Sequence, residues 1–239
     1  MKVIAKYLGG SHLYGLNTPA SDIDERGVFV NTEAKYILGL DRFEESRNQV
    51  AKEQRDIVYK EVSHFMRLLR QANTEALETL FANESAFSLL TEEMITIRRR
   101  ANSFVDSERL FSCLKGYMQS EFKLALGERK GQIGGKRYAQ LQVHGYSPKN
   151  VVQLLRLSYV GKKFFQEDVF VVNMKGEPIY EKLMQIKTQP ETFSLEKVKE
   201  VYAQAEIDLK EAFETRKFTC VFDEELANQT LLDIYKKHL

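Results

Sequence analysis

The chain opens on an apolar, partly β-branched run, Lys2-Val3-Ile4-Ala5-Lys6-Tyr7-Leu8. It is long enough for a buried strand and is closed by Gly9-Gly10, where the backbone can turn sharply. Ser11 then opens a short helix. A second strand is read in Glu25-Arg26-Gly27-Val28-Phe29-Val30, entered through Ser21-Asp22-Ile23-Asp24, and a third in Gln54-Arg55-Asp56-Ile57-Val58-Tyr59. Beyond these, helical stripes dominate. Residues 62–72 place Val62, Phe65, Met66 and Leu69 on one face, and residues 195–214 do the same with Leu195, Val198, Val201, Tyr202, Ala205, Leu209 and Phe213. Ser147-Pro148 supplies a cap and a first-turn proline to a helix whose apolar stripe is Val151, Val152, Leu154, Leu155 and Tyr159. Phe164 to Asn173, rich in aromatics and valines, reads as a strand or hairpin before a turn at Lys175-Gly176-Glu177-Pro178.

The 239 residues are 43% apolar and 29% charged, an ordinary globular composition that allows a sizeable core. Charged and polar residues between about 83 and 105 separate the strand-bearing part from the helical part. The architecture predicted is α+β, with a small mixed β-sheet and flanking helices over residues 1–95. A mostly helical C-terminal domain follows over residues 96–239, and the site is expected in the cleft between them. No run approaches the ~18 apolar residues of a membrane span, and Met1-Lys2-Val3-Ile4 is not a signal-peptide start, so a cytoplasmic protein is expected. Cys113 and Cys220 lack metal-ligand spacing and are read as reduced thiols. No repeat or coiled-coil heptad sets an oligomeric state.

The chemistry suggested by the first segment is phosphate handling. A strand running into Gly-Gly-Ser and a helix start presents backbone N–H groups and a hydroxyl where phosphate oxygens bind well, although the same turn also serves as a plain helix cap. Asp22 and Asp24 follow it, two apart and therefore on one side of a strand. Two aspartates side by side repel unless a cation lies between them, which favours Mg²⁺ held by oxygen ligands over the other reading, a solvated turn. A third carboxylate is needed on a neighbouring strand. Asp56 at the start of the third strand is the choice, with Glu53 and Glu61 nearby. His12 adjoins the cradle and is read as a helix-surface residue.

Residues 9 to 30 resemble the nucleotidyltransferases of the DNA polymerase β superfamily, whose hallmark is Gly-Ser, a spacer, an Asp-x-Asp strand and a later Asp. The wording from Gly10-Ser11-His12 to Ser21-Asp22-Ile23-Asp24-Glu25-Arg26-Gly27 is similar to a bacterial and phage group of predicted nucleotidyltransferases. So is Asn73-Thr74-Glu75-Ala76-Leu77-Glu78-Thr79-Leu80, with Thr74 where that group usually has Pro. Fainter echoes reach Lys149 to Arg156, with Gln153 where a His is frequent, and Ile186-Lys187. The resemblance implies transfer of a nucleoside monophosphate from a triphosphate such as ATP to an acceptor hydroxyl on RNA, tRNA, protein or a small molecule, with release of pyrophosphate. It implies Asp22, Asp24 and Asp56 as ligands of Mg²⁺ or Mn²⁺, Asp56 also receiving the acceptor's proton. Gly10, Ser11 and Ser21 are implied as nucleotide contacts.

Charge is uneven although the net is only +1. Residues 101–170 hold 11 basic and 6 acidic side chains, against a slight acidic excess on either side. Within them, Gly127 to Arg137 has four glycines and four basic residues, and reads either as a flap over a nucleotide or RNA backbone or as a solvated connector; its spacing is not that of a Walker A loop. Lys149, Gln153 and Arg156 fall at i, i+4 and i+7, a row that would hold a triphosphate or face solvent. Two other classes remain open at this level: a nucleotide-binding regulator without catalysis, and a nucleic-acid-binding module built on residues 101–170.

Overall fold

The computed structural model describes residues 1–40, 42–50, 55–128 and 135–238. The chain divides into two units, Met1–Ser107 together with the segment from Cys220 onward, and Glu108–Thr219. The fold is α+β, as the alternating and helical patterns require.

In the first unit the opening run forms β1 (Lys2–Leu8), the Gly-Gly turn leads into α1 (Gly10–Leu13), and the Asp-bearing segment becomes β2 (Ile23–Val30). After α2 (Ala34–Leu38), β3 (Glu45–Val50) and β4 (Arg55–Glu61) complete most of a five-stranded sheet. Helices α3 (Val62–Arg70) and α4 (Thr74–Phe81) come next, then β5 (Phe87–Leu90) and α5 (Glu92–Arg98). Among the described residues the strand order is β3-β4-β2-β1-β5, with β2 and β4 parallel and the other neighbours antiparallel. Val28, Phe29 and Val30 are buried because β2 lies at the centre of the sheet.

Helix α3 buries the expected Val62, Phe65, Met66 and Leu69, each worth roughly 1.5–3 kcal/mol of apolar burial. Its cap is Glu61, whose Oε2 accepts from the Ser63 N–H at 2.7 Å. Ala72, at φ +52°, turns the chain into α4, which Asn73 caps through the Ala76 N–H at 3.1 Å.

The last segment packs with the sheet. Cys220 and Ser107 exchange two hydrogen bonds, and the Asp223 N–H donates to the Ser103 carbonyl at 2.8 Å. The final helix, Glu224–Lys236, places the Tyr235 hydroxyl on Glu61 Oε1 at 2.7 Å and receives Arg100 on Thr230 at 3.1 Å. Residues 96–107 and this C-terminal helix therefore belong with the strand-bearing unit, not with the helical part assigned to 96–239. A helical stripe records that a face is buried and carries no record of what covers it.

The second unit contains α6 (Ser107–Ala125, from its second residue), α7 (Gly135–His144), α8 (Pro148–Glu167), α9 (Tyr180–Thr188) and α10 (Leu195–Glu214), so the C-terminal helix is α11. Pro148 takes the first turn of α8, but the Ser147 side chain makes no capping bond; its N–H donates to the Ala125 carbonyl. Close approach to α10 and α6 needs Gly161, where a Cβ would lie 2.4 Å from Leu209 Cδ1 and 2.8 Å from Leu114 Cδ1. Phe122 stacks on Tyr202 and Phe111 on Phe213.

The expected strand at 164–173 is absent. Helix α8 continues to Glu167 and ends at Asp168 (φ +57°), after which Phe170, Val171, Val172 and Met174 are buried in irregular backbone before the predicted turn. Burial without a period does not separate strand from packed loop. Of the basic segment 127–137, positions 129–134 lie outside the described residues.

Candidate functional site

The Gly9 N–H donates to the Asp24 carbonyl at 2.7 Å, which fixes the turn against β2. Gly10 follows at φ +57°, and a Cβ there would lie 2.6 Å from Asp24 Oδ2. Glycine is required on both counts: a side chain would be strained in that conformation and would strike the carboxylate. The Tyr14 hydroxyl at the end of α1 donates to Glu78 Oε2 at 2.7 Å, tying the turn to α4. Ser11 is half-buried on α1. Ser21 closes a turn, its Oγ accepting from the Thr18 N–H at 2.9 Å and its own N–H donating back.

Asp24 and Asp56 are direct register partners on the parallel strands β2 and β4, so their side chains rise from the same face. Each side chain is 33% exposed. Asp22 lies one residue before β2 and is exposed. The sequence pattern thus brings two of the three candidate carboxylates side by side and leaves the third at the rim.

Arg26 was not among the candidates. Its Nη2 lies 3.1 Å from both Asp24 Oδ1 and Asp56 Oδ2, and its Nη1 donates to the carbonyls of Asp56 at 2.9 Å and Glu25 at 3.1 Å. Its Nε lies 3.5 Å from Glu75 Oε1, which also accepts from Lys60 Nζ at 2.7 Å. The signal for both cations was present in the strands: Arg26 is two residues beyond Asp24 and Lys60 four beyond Asp56, so alternation puts them on the same face.

Among the described residues no group of three or more His, Cys, Asp or Glu side chains is arranged to hold a metal ion. The donors present nevertheless fit a hard divalent cation. Asp56 Oδ1 is buried and has no hydrogen-bond partner among the described residues, and the bare Cα of Gly10 leaves room only for the Asp24 carboxylate. Asp22, Asp24 and Asp56 are the residues that would contribute oxygens. His12, expected on a helix surface, is half-buried, with its Nε2 buried and unpartnered.

Lys149 and Arg156 do not share a solvent face. Lys149 is exposed, whereas Arg156 is 1% exposed and its Nε donates to Gln153 Oε1 at 3.1 Å. Helix α8 is covered on most of its circumference, so a residue seven beyond an exposed one falls inside. Lys187 on α9 lies near Lys149: burial, together with the Lys149 charge, holds its ammonium below the usual lysine pKa.

The model of the family RlaP, described as the RNA repair pathway DNA polymerase beta family, matches residues 1–160. No curated protein matches the chain. A crystal structure of a nucleotidyltransferase-like protein from Exiguobacterium sibiricum 255-15 is similar at 12% identity over 99% of this chain and 74% of its own, with a TM-score of 0.29. No helix among the described residues is long and apolar enough to cross a membrane.

Proposed function

The chain belongs to the RNA repair pathway DNA polymerase beta family, and from that premise we propose that it transfers a nucleoside monophosphate from a nucleoside triphosphate to a hydroxyl of RNA. The acceptor oxygen attacks the α-phosphorus; a new P–O bond forms, the α–β anhydride bond breaks and pyrophosphate leaves. The observation that carries this reading is the Asp24–Asp56 register pair pressed against the Gly10 turn, with one carboxylate oxygen buried and unsatisfied.

In the proposal Asp24, Asp56 and Asp22 hold Mg²⁺ or Mn²⁺, which when bound acidifies the acceptor hydroxyl and offsets charge on the phosphates. The partly exposed Asp56 carboxylate accepts the hydroxyl proton. Gly10 and Ser11 line the place of the phosphates, where a larger residue than glycine would displace the Asp24 carboxylate. Ser21 supports this segment through its turn. Lys149, with Lys187 beside it, supplies positive charge for a polyanion, and buried Arg156 orients Gln153 on the same helix.

The test is incubation of the protein with RNA and each α-phosphate-labelled nucleoside triphosphate, with Mg²⁺ or Mn²⁺. Labelled RNA from the wild type and none from Asp24→Asn is the expected result. Equal labelling by both would overturn the proposal, and triphosphate binding without transfer would make the protein a nucleotide-binding regulator.

A further inference from the structure

Arg26 stands where the two carboxylates most need a positive charge. One guanidinium nitrogen bridges Asp24 Oδ1 and Asp56 Oδ2, each at 3.1 Å, and the side chain is only 17% exposed. Its course is shaped by the chain: a Cβ on Gly9 would lie 2.7 Å from Arg26 Cγ. Two further bonds to backbone carbonyls hold the planar group in this pose. The two carboxylates it holds are those a divalent cation would need, and a second cation placed on the same pair is repelled by the first.

We propose that Arg26 is an internal counter-ion that competes with the divalent cation for Asp24 and Asp56. Metal loading then requires the guanidinium to withdraw from at least one of them. This rests on the reading that the pair binds such a cation. While no substrate is present Arg26 offsets about half of the pair's negative charge, and Asp56 Oδ1, buried and untouched by Arg26, is an acceptor that the guanidinium leaves unsatisfied among the described residues. Glu75 Oε1, already 3.5 Å from Arg26 Nε, is the nearest carboxylate to receive the displaced group. Metal affinity is accordingly weak in the absence of triphosphate and rises when triphosphate oxygens offer the guanidinium another partner.

The experiment is Mn²⁺ binding without nucleotide, read from the electron paramagnetic resonance signal of free Mn²⁺. Arg26→Gln is expected to bind about tenfold more tightly than wild type, since two charge-assisted bonds no longer compete. Arg26→Lys, a point charge that cannot bridge both carboxylates, is expected in between and serves as the readout if the glutamine variant fails to fold by circular dichroism. Lys60→Gln removes one positive charge from the same face without releasing Asp24 or Asp56, and is expected to change the affinity less than twofold. Tightening by Lys60→Gln equal to that of Arg26→Gln would reduce the effect to net charge and overturn the competition, as would unchanged or weaker binding by Arg26→Gln. Asp24→Asn in the Arg26→Gln background is expected to abolish binding. If Mn²⁺ binds none of these proteins, or binds them all regardless of Asp24, the metal reading itself fails and the role of Arg26 falls with it.

Discussion

On one face of the sheet Glu25 is 3% exposed and surrounded by donors: Lys6 Nζ at 3.1 Å, an Arg55 guanidinium nitrogen and the Tyr59 hydroxyl. On the other face, displaced by a single residue of β2, Asp24 and Asp56 share Arg26, and Glu75 draws on Arg26 and Lys60. The first face matches one carboxylate with two cations and a phenol. Among the described residues the second sets three carboxylates against two cations and leaves Asp56 Oδ1 unpaired. A fully satisfied buried charge is a structural element, because nothing more can bind to it without displacing a partner. An undersatisfied, partly exposed pair is where a further cation gains the most.

The comparison is tested most severely by exchanging one carboxylate on each face. Asp56→Asn is expected to lower nucleotidyl transfer about a thousandfold, within the range for loss of a general base, while the melting curve stays close to wild type. Glu25→Gln is expected to do the reverse. Weakening the bonds of Arg55, Lys6 and Tyr59 to a buried carboxylate costs about 2 kcal/mol of stability, the cations left behind being partly solvated, with little change in the turnover of the folded fraction. Loss of transfer in folded Glu25→Gln would break the division between the faces.

A smaller effect comes from the two glycines at the sheet. Gly10→Ala puts a methyl group 2.6 Å from Asp24 Oδ2 at positive φ, and is expected to reduce kcat/KM about a hundredfold by moving the carboxylate. The backbone strain adds about 1 kcal/mol of destabilisation. Gly27→Ala, on the Glu25 face, meets the Ala5 carbonyl at 2.5 Å and Tyr59 Cδ1 at 2.9 Å. It is expected to cost about 2 kcal/mol in denaturation and to leave kcat near wild type. A large kcat loss in Gly27→Ala would show that the faces are not independent.

Much of this arrangement was legible before any coordinates. The β-branched run ending at two glycines follows from period and turn chemistry, whereas Asp56 is chosen because metal ligation needs a carboxylate on a neighbouring strand. Arg26 falls outside the acidic pattern that marks the site, although alternation along β2 puts it on the Asp24 face and the parallel register with β4 brings it to Asp56. Arg156 is buried rather than on the Lys149 face because i+7 spacing fixes a direction around α8 and not whether that direction meets solvent. The packing of α11 on the sheet unit was unreadable for a deeper reason. Its bonds to Glu61 and Arg100 join residues 130 to 174 positions apart, and no local pattern encodes a contact at that separation.

The smallest expected effect is the dependence of stability on acid, and it isolates the charge of Glu25. Burial alone pushes its carboxyl pKa up, but hydrogen bonds from Tyr59, Arg55 and Lys6 outweigh burial and hold it below the ordinary 4.5. A carboxyl depressed in the folded state binds a proton more readily once unfolded. Its contribution is therefore complete above the unfolded value of 4.5 and is lost as the pH falls through the folded one. Urea denaturation of wild type and Glu25→Gln from about pH 7 to about pH 3 should give two stability curves whose separation is constant at neutral pH and narrows below about pH 4.5, by at most about 1.4 kcal/mol per pH unit, the limit for one proton. A separation that widens in acid would mean that the Glu25 pKa is raised. The three donors would then not suffice to compensate the buried charge, and the contrast with the Asp24–Asp56 face would lose its physical basis.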